Sequence, residues 1–137
     1  MTHLHLWVAG TPKAQPRVRA FRRGRHASVY TPDTADAWKA AVRAAVLERA
    51  SGATLFAGPV GLRLQFVLPR PKRLKGSFVP HAAMPDIDNL VKAVMDAISD
   101  CGLWADDAQV AELHASKQYA EEGGDCGCDV TVTQLGR

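Results

Sequence analysis

The stretch VGLRLQFVL, residues 60–68, puts Val60, Leu62, Leu64, Phe66 and Leu68 on one face of an extended strand. Such a strand belongs to a sheet with one packed face and one wet face. Two amphipathic segments can pack against it. Over Thr34–Ala50, Trp38, Val42, Ala45, Val46 and Arg49 recur at helical spacing, with Gly52 near the end. Over Ile87–Ser99, Leu90, Val91, Val94, Met95 and Ile98 form a second stripe, ended by Gly102. HLHLWVAG (3–10), AQVAELHASKQYA and DVTVTQL read as further strands, the last two separated by EEGGDCGC. The order β, basic hairpin, α, β, basic loop, α, β, β predicts an α+β fold as a single domain over residues 1–137.

A chain of this length can build a core without disulfides, and its three cysteines are an odd count for an oxidised framework. Cys126-Gly-Cys128 reads as a pair of turn cysteines, because zinc ribbons need two such knuckles. His3 and His5 share a strand face, a spacing that can hold a metal but is far commoner among exposed strand histidines. No apolar run approaches the roughly 20 residues of a membrane span. The N-terminus lacks a basic region followed by an apolar one, so the expected location is cytoplasmic, with no membrane partner.

The formal charge of +3 conceals a division. Residues 1–85 are net +11 and residues 86–137 are net −8. Lys13, Arg17, Arg19, Arg22, Arg23 and Arg25 cluster around Phe21 and Tyr30, where Pro12, Pro16 and Gly24 favour a hairpin or extended arm. Arg70, Lys72, Arg73 and Lys75 occupy a loop whose length suggests mobility. Those two segments hold 10 of the 17 basic residues, a distribution suited to a polyanion.

The acidic side is concentrated in PDIDNLVKAVMDAISDCGLWADDAQV. Asp86 falls at or before the cap of the second helix and Asp88 in its first turn, where one carboxylate suits the backbone N–H groups and needs no function. Two, with Asn89 beside them, exceed what a cap requires. Lys92 lies four residues after Asp88, either as an exposed ion pair or at the rim of a cleft. Asp96 reads as its solvated partner. Asp106 and Asp107 follow a turn that should return one carboxylate toward Asp86 and Asp88. Carboxylates so gathered stay ionised around a hard cation such as Mg²⁺, which can activate water against a phosphodiester. An EF-hand is excluded, since its fifth and sixth positions would be Leu90 and Val91. No phosphate-cradling glycine loop and no marked Ser or Cys nucleophile is present.

This block closely resembles the signature of the RusA family of Holliday junction resolvases. The resemblance lies in Asp86, Asp88, Asn89 and Leu90, then Lys92, then Leu103, Trp104, Asp106, Asp107, Gln109 and Val110. GTPKAQPRVR resembles the turn and basic arm after that family's first strand. The resemblance implies a small mixed β-sheet packed with two main helices, and a homodimeric, Mg²⁺-dependent endonuclease with Mn²⁺ as substitute. It implies metal binding by Asp86, Asp88 and Asp107, with Asp106 contributing or supporting, and an essential role for Lys92. Four-way or other branched DNA would be the partner, without a small-molecule cofactor. Met84-Pro85 departs from members with basic residues there, which bears on local DNA contacts.

Three other functions share parts of this pattern. A junction-binding protein without catalysis gains nothing from carboxylates facing phosphate. A nuclease for flaps, forks or RNA would use the same chemistry. A small-molecule phosphohydrolase has no use for ten basic residues in two segments.

Overall fold

A computed structural model describes residues 3–50, 56–76 and 79–136. Strand β1 (His3–Ala9) buries Leu4, Leu6 and Val8 and exposes His3, His5 and Trp7. The basic arm folds into a hairpin of β2 (Arg19–Arg23) and β3 (His26–Tyr30), turning at Gly24, whose φ of 61° suits glycine. Helix α1 (Asp36–Ala50), strand β4 (Val60–Leu68) and helix α2 (Ile87–Asp100) follow. A 3₁₀ turn, Asp107–Gln109, leads into β5 (Val110–Tyr119), and β6 (Gly127–Gln134) completes the order. Gly52 lies outside the described residues.

The main sheet runs β1-β6-β4-β5, antiparallel except for the parallel pair β4 and β5. It is the expected mixed sheet. Parallel neighbours cannot be joined by a tight turn, so the chain leaves β4, passes through the basic loop and returns along α2 before entering β5. Helix α2 therefore runs opposite to β5, starting near that strand's end and finishing near its beginning.

Both helices cover one sheet face. Helix α1 packs over β1 and against α2, which reaches β5. All five inward residues of β4 are buried, together with Trp38, Val42 and Val46 of α1 and Leu90, Val91, Val94 and Ile98 of α2. Each large side chain so buried stabilises the fold by roughly 1.5–3 kcal/mol before entropy is counted. Arg49, which shares the stripe's spacing, stays exposed and donates to the His5 carbonyl at 3.3 Å, while Ala50 takes the buried place. The opposite sheet face is wet. There His5 Nε2 pairs with Asp129 Oδ1 at 2.6 Å.

Candidate active site

Asp86 is the N-cap of α2, yet its side chain accepts no capping hydrogen bond. The ordinary structural use of an aspartate at that position is therefore not made. Asp88 follows in the first turn, and both are exposed. Lys92, one turn further on, is exposed as well. The ion pairs among the described residues are His5–Asp129, Lys39–Asp96 and Arg43–Asp100, and Lys92 belongs to none of them. Lys92, Asn89 and Arg17 instead line a groove of about 260 Å³ between the basic arm and α2. The arm is stitched there by Gln15 N–H, which donates to the Asn89 carbonyl at 2.9 Å.

The approach to this acidic head is anchored by Lys117. Its Nζ donates to the carbonyls of Ala83 at 2.6 Å and Pro85 at 2.8 Å. Backbone bonds from His81 N–H to Lys117 and from Tyr119 N–H to Val79 fasten the same segment along β5. The His81 ring packs on Tyr119, with centroids 4.5 Å apart. Its burial, and secondarily the Lys117 charge, hold its pKa below the ordinary histidine value. Lys117 was legible as an anomaly: it shares strand parity with Leu113, Ala115 and Tyr119, so a cation points toward the packed face.

The second acidic pair divides its roles. Asp106 caps the 3₁₀ turn by accepting from Ala108 N–H at 2.8 Å, and Gln109 completes the capping box. Gln109 Nε2 also donates to the carbonyls of Phe56 and Gly58. Asp107 accepts a hydrogen bond from the Ser99 hydroxyl, which in turn accepts from the indole N–H of buried Trp104 at 2.7 Å. Asp96 is not Lys92's ion-pair partner; it lies 4.0 Å from Lys39. Burial raises its pKa, Lys39 opposes that shift, and Asp107 adds to it, so Asp96 shares the field at this end of the helix.

The turn after α2 does not bring Asp107 back to Asp86 and Asp88, contrary to the expectation from sequence. Ser99, which holds Asp107, lies eleven residues beyond Asp88 on an unbroken helix, an axial distance of about 16 Å. The chain reverses only at the far end of α2. Among the described residues, no three His, Cys, Asp or Glu side chains gather closely enough to hold a metal ion. The oxygen donors suit a hard divalent cation, but one chain does not assemble them around a common point.

Residues 9–132 match the family model described as endodeoxyribonuclease RusA. The chain belongs to the RusA endodeoxyribonuclease family. It is 32% identical over 125 residues to the uncharacterized protein YqaN of Bacillus subtilis strain 168, covering 84% of this chain and 87% of that protein. It is also 38% identical over 58 residues to the crossover junction endodeoxyribonuclease RusA of Escherichia coli K12, covering 42% of this chain and 47% of that relative. The namesake from Enterobacteria phage 82 shows the same identity and coverage. The alignments with these two relatives span about half of their length.

The basic residues of this RusA-family chain are arranged unequally. Arg19, Arg22, Arg23 and Arg25 are exposed on the hairpin, and Lys13 and Arg17 on the arm before it. Phe21 and Tyr30 form an exposed edge-to-face pair with centroids 5.8 Å apart, and strand alternation puts Arg19 and Arg23 on the Phe21 face. Lys72, Arg73 and Lys75 are exposed on the β4–α2 loop. Arg70 instead turns to the backbone, donating to the carbonyls of Leu74 at 3.0 Å, Gly76 at 2.5 Å and Ala120 at 3.1 Å. It organises the loop that carries the other three. Cys126 directly precedes β6, whereas Cys128 is a buried strand residue and not a turn cysteine; burial pushes its thiol pKa far up. A cavity of about 430 Å³ on the wet sheet face, lined by Arg63, Gln65, His114 and Asp129, contains none of the anticipated site residues. Among the described residues, no helix is long and apolar enough to cross a membrane.

Proposed function

We propose that this RusA-family chain is a divalent-cation-dependent nuclease that resolves four-way DNA junctions by paired symmetric nicks, as a homodimer, in recombination and repair. The observation that carries this reading is the uncommitted head of α2. Asp86 sits in a cap position without making the cap bond, Asp88 is exposed beside it, and Lys92 stands outside every ion pair among the described residues. Relatives named crossover junction endodeoxyribonuclease support the branched substrate.

Asp86, Asp88 and Asp107 are the proposed ligands, with Asp106 holding the turn behind Asp107. Mg²⁺, or Mn²⁺ in its place, would supply an activated water and offset charge developing on the phosphate. Lys92 and Arg17, which face the same groove, would hold the non-bridging phosphate oxygens by charge-assisted hydrogen bonds. The hairpin arginines and the exposed loop lysines would bind flanking phosphates, fixing position without reading sequence. A binding protein without catalysis would be weakened by Asp86 and Asp88 facing phosphate, so cleavage is the better account of them.

The test is cleavage of a labelled synthetic four-way junction beside linear duplex, in Mg²⁺ or EDTA, with wild type or Asp88→Asn. Paired nicks that require both metal and Asp88 are expected. Tight junction binding without cutting under any divalent metal would make the chain a recognition protein.

A further inference from the structure

The hairpin carries two aromatic rings that the fold does not cover. We propose that Phe21 and Tyr30 form a stacking platform for DNA bases left unstacked at a branch point, so that the hairpin tells a junction from plain duplex. This inference rests on the nuclease reading for the kind of nucleic acid and adds the contact that recognises the branch.

Strands β2 and β3 form a sheet of their own, and every residue in them except Ser28 is exposed. A two-stranded sheet alone is marginally stable in water, and a partner along either face would steady it. Phe21 pairs with Ser28, Arg19 with Tyr30 and Arg23 with His26, which puts both rings, both arginines and the histidine on one face. Phe21 is 43% exposed and Tyr30 49%. Their planes meet at 66°, an edge-to-face contact that occupies one face of only one ring. A cross-strand aromatic pair does steady a hairpin. That use alone is poorly served by arginines on both sides of Phe21, since like charges on one face repel. Residues 17–30 contain no acid, and no arginine of the hairpin takes part in an ion pair among the described residues. The charge is left for an external polyanion, and a ring between two cations is suited to a base between its two phosphates.

Position ties the platform to the candidate site. Arg17 and Thr31, at the roots of the two strands, line the same groove as Lys92. Tyr30 is the neighbour of Thr31, and Phe21 lies four residues beyond Arg17, at most about 14 Å of extended chain. A phosphate held in that groove thus stands within about four stacked nucleotides of either ring, at roughly 3.4 Å per nucleotide. In continuous duplex every base face is covered by its neighbours, and the rings gain nothing there. At a crossover the stack is interrupted, and a ring can take the missing neighbour's place. Phosphate contacts serve both forms of DNA alike; the rings supply the preference for a branch.

Binding measured in EDTA, where nothing is cut, tests the inference apart from catalysis. Wild type, Phe21→Leu, Tyr30→Leu and Tyr30→Phe are titrated against a four-way junction and a linear duplex. Each leucine variant should lose about 5- to 150-fold in junction affinity, the usual strength of base–aromatic stacking, while duplex affinity changes far less. Tyr30→Phe, which keeps the ring, should keep the junction preference. A second reading uses 2-aminopurine at each of about four positions outward from the branch point. Its fluorescence should change when wild type binds and stay unchanged when Phe21→Leu binds. A reporter silent at all those positions under wild type overturns the platform whatever the variants do, and so do equal losses on both DNAs. Leucine variants that keep the junction preference but dissociate into single chains in sedimentation would assign the rings to a second copy, again overturning it. If preference and reporter behave as expected while wild type cuts no junction in Mg²⁺ or Mn²⁺, the platform stands and the nuclease reading falls. If wild type cuts junctions and the leucine variants bind them as well as it does, the nuclease reading stands and the platform falls.

Discussion

Lys117 Nζ lies 2.8 Å from the carbonyl oxygen of Pro85, the residue immediately before Asp86. A cation on the packed side of β5 thus fixes the chain where the acidic head begins, and a second bond to Ala83 restrains its approach. Charge-assisted bonds of this kind hold a backbone more rigidly than neutral ones.

Lys117→Met keeps the side chain's bulk but leaves two carbonyls without their donor. Junction cleavage should fall by roughly 10–100-fold, as for other residues that orient metal ligands. Thermal unfolding should show a loss of about 1–3 kcal/mol. Unchanged cleavage would mean that Asp86 is positioned without Lys117.

Asp86 and Asp106 should separate function from capping. Asp86→Asn loses no capping bond, so its unfolding free energy should stay within about 0.5 kcal/mol of wild type while cutting is lost. Asp106→Ala removes a cap that is actually made and should cost about 1 kcal/mol. Calorimetry beside a cleavage assay reads both.

Ser99 joins Trp104 to Asp107. Ser99→Ala leaves the buried indole N–H unpaired, at a cost of about 1–3 kcal/mol, and releases the Asp107 carboxylate. Divalent-cation affinity should weaken even in protein that remains folded, as titration calorimetry would show. Unaltered affinity would remove Asp107 from the ligand set.

His81 gives a pH signature. Its folded pKa is below 6.5, from burial first and Lys117 second. As pH falls below that value, the unfolded state takes up a proton that the folded state resists, so stability declines until the folded pKa is reached. His81→Phe removes this titration. Its melting temperature should therefore fall less than wild type's between about pH 7 and pH 5.

The hairpin and Arg70 should respond differently to salt. Replacing Arg22, Arg23 and Arg25 with Ala should weaken junction binding and flatten log Kd against log salt by up to ~0.9 per lost phosphate contact. Arg70→Ala should chiefly destabilise the loop, because its guanidinium is already bound to three carbonyls. A slope unchanged by the triple substitution would move the DNA path away from the hairpin.

Local patterns carried most of the fold. Alternation in β4 selected its buried face, and helical spacing located both helices, because burial of an amphipathic stripe is a local demand. The hairpin followed from prolines and Gly24. Asp86 and Asp88 were legible as a pair too many for a cap, and the spacing of the tail identified its family. The uses of Arg70, Ser99 and Lys117 were hidden, since each depends on a partner brought close by other elements. Only Lys117 left a trace, as a cation of inward parity. By itself, then, the sequence determined which residues form elements, which faces are apolar and which carboxylates are candidates for the proposed chemistry. Tertiary structure alone decided where those carboxylates stand: β4 and β5 are parallel, so α2 must run the full crossover between them, and a rigid helix of 14 residues holds its two acidic ends apart.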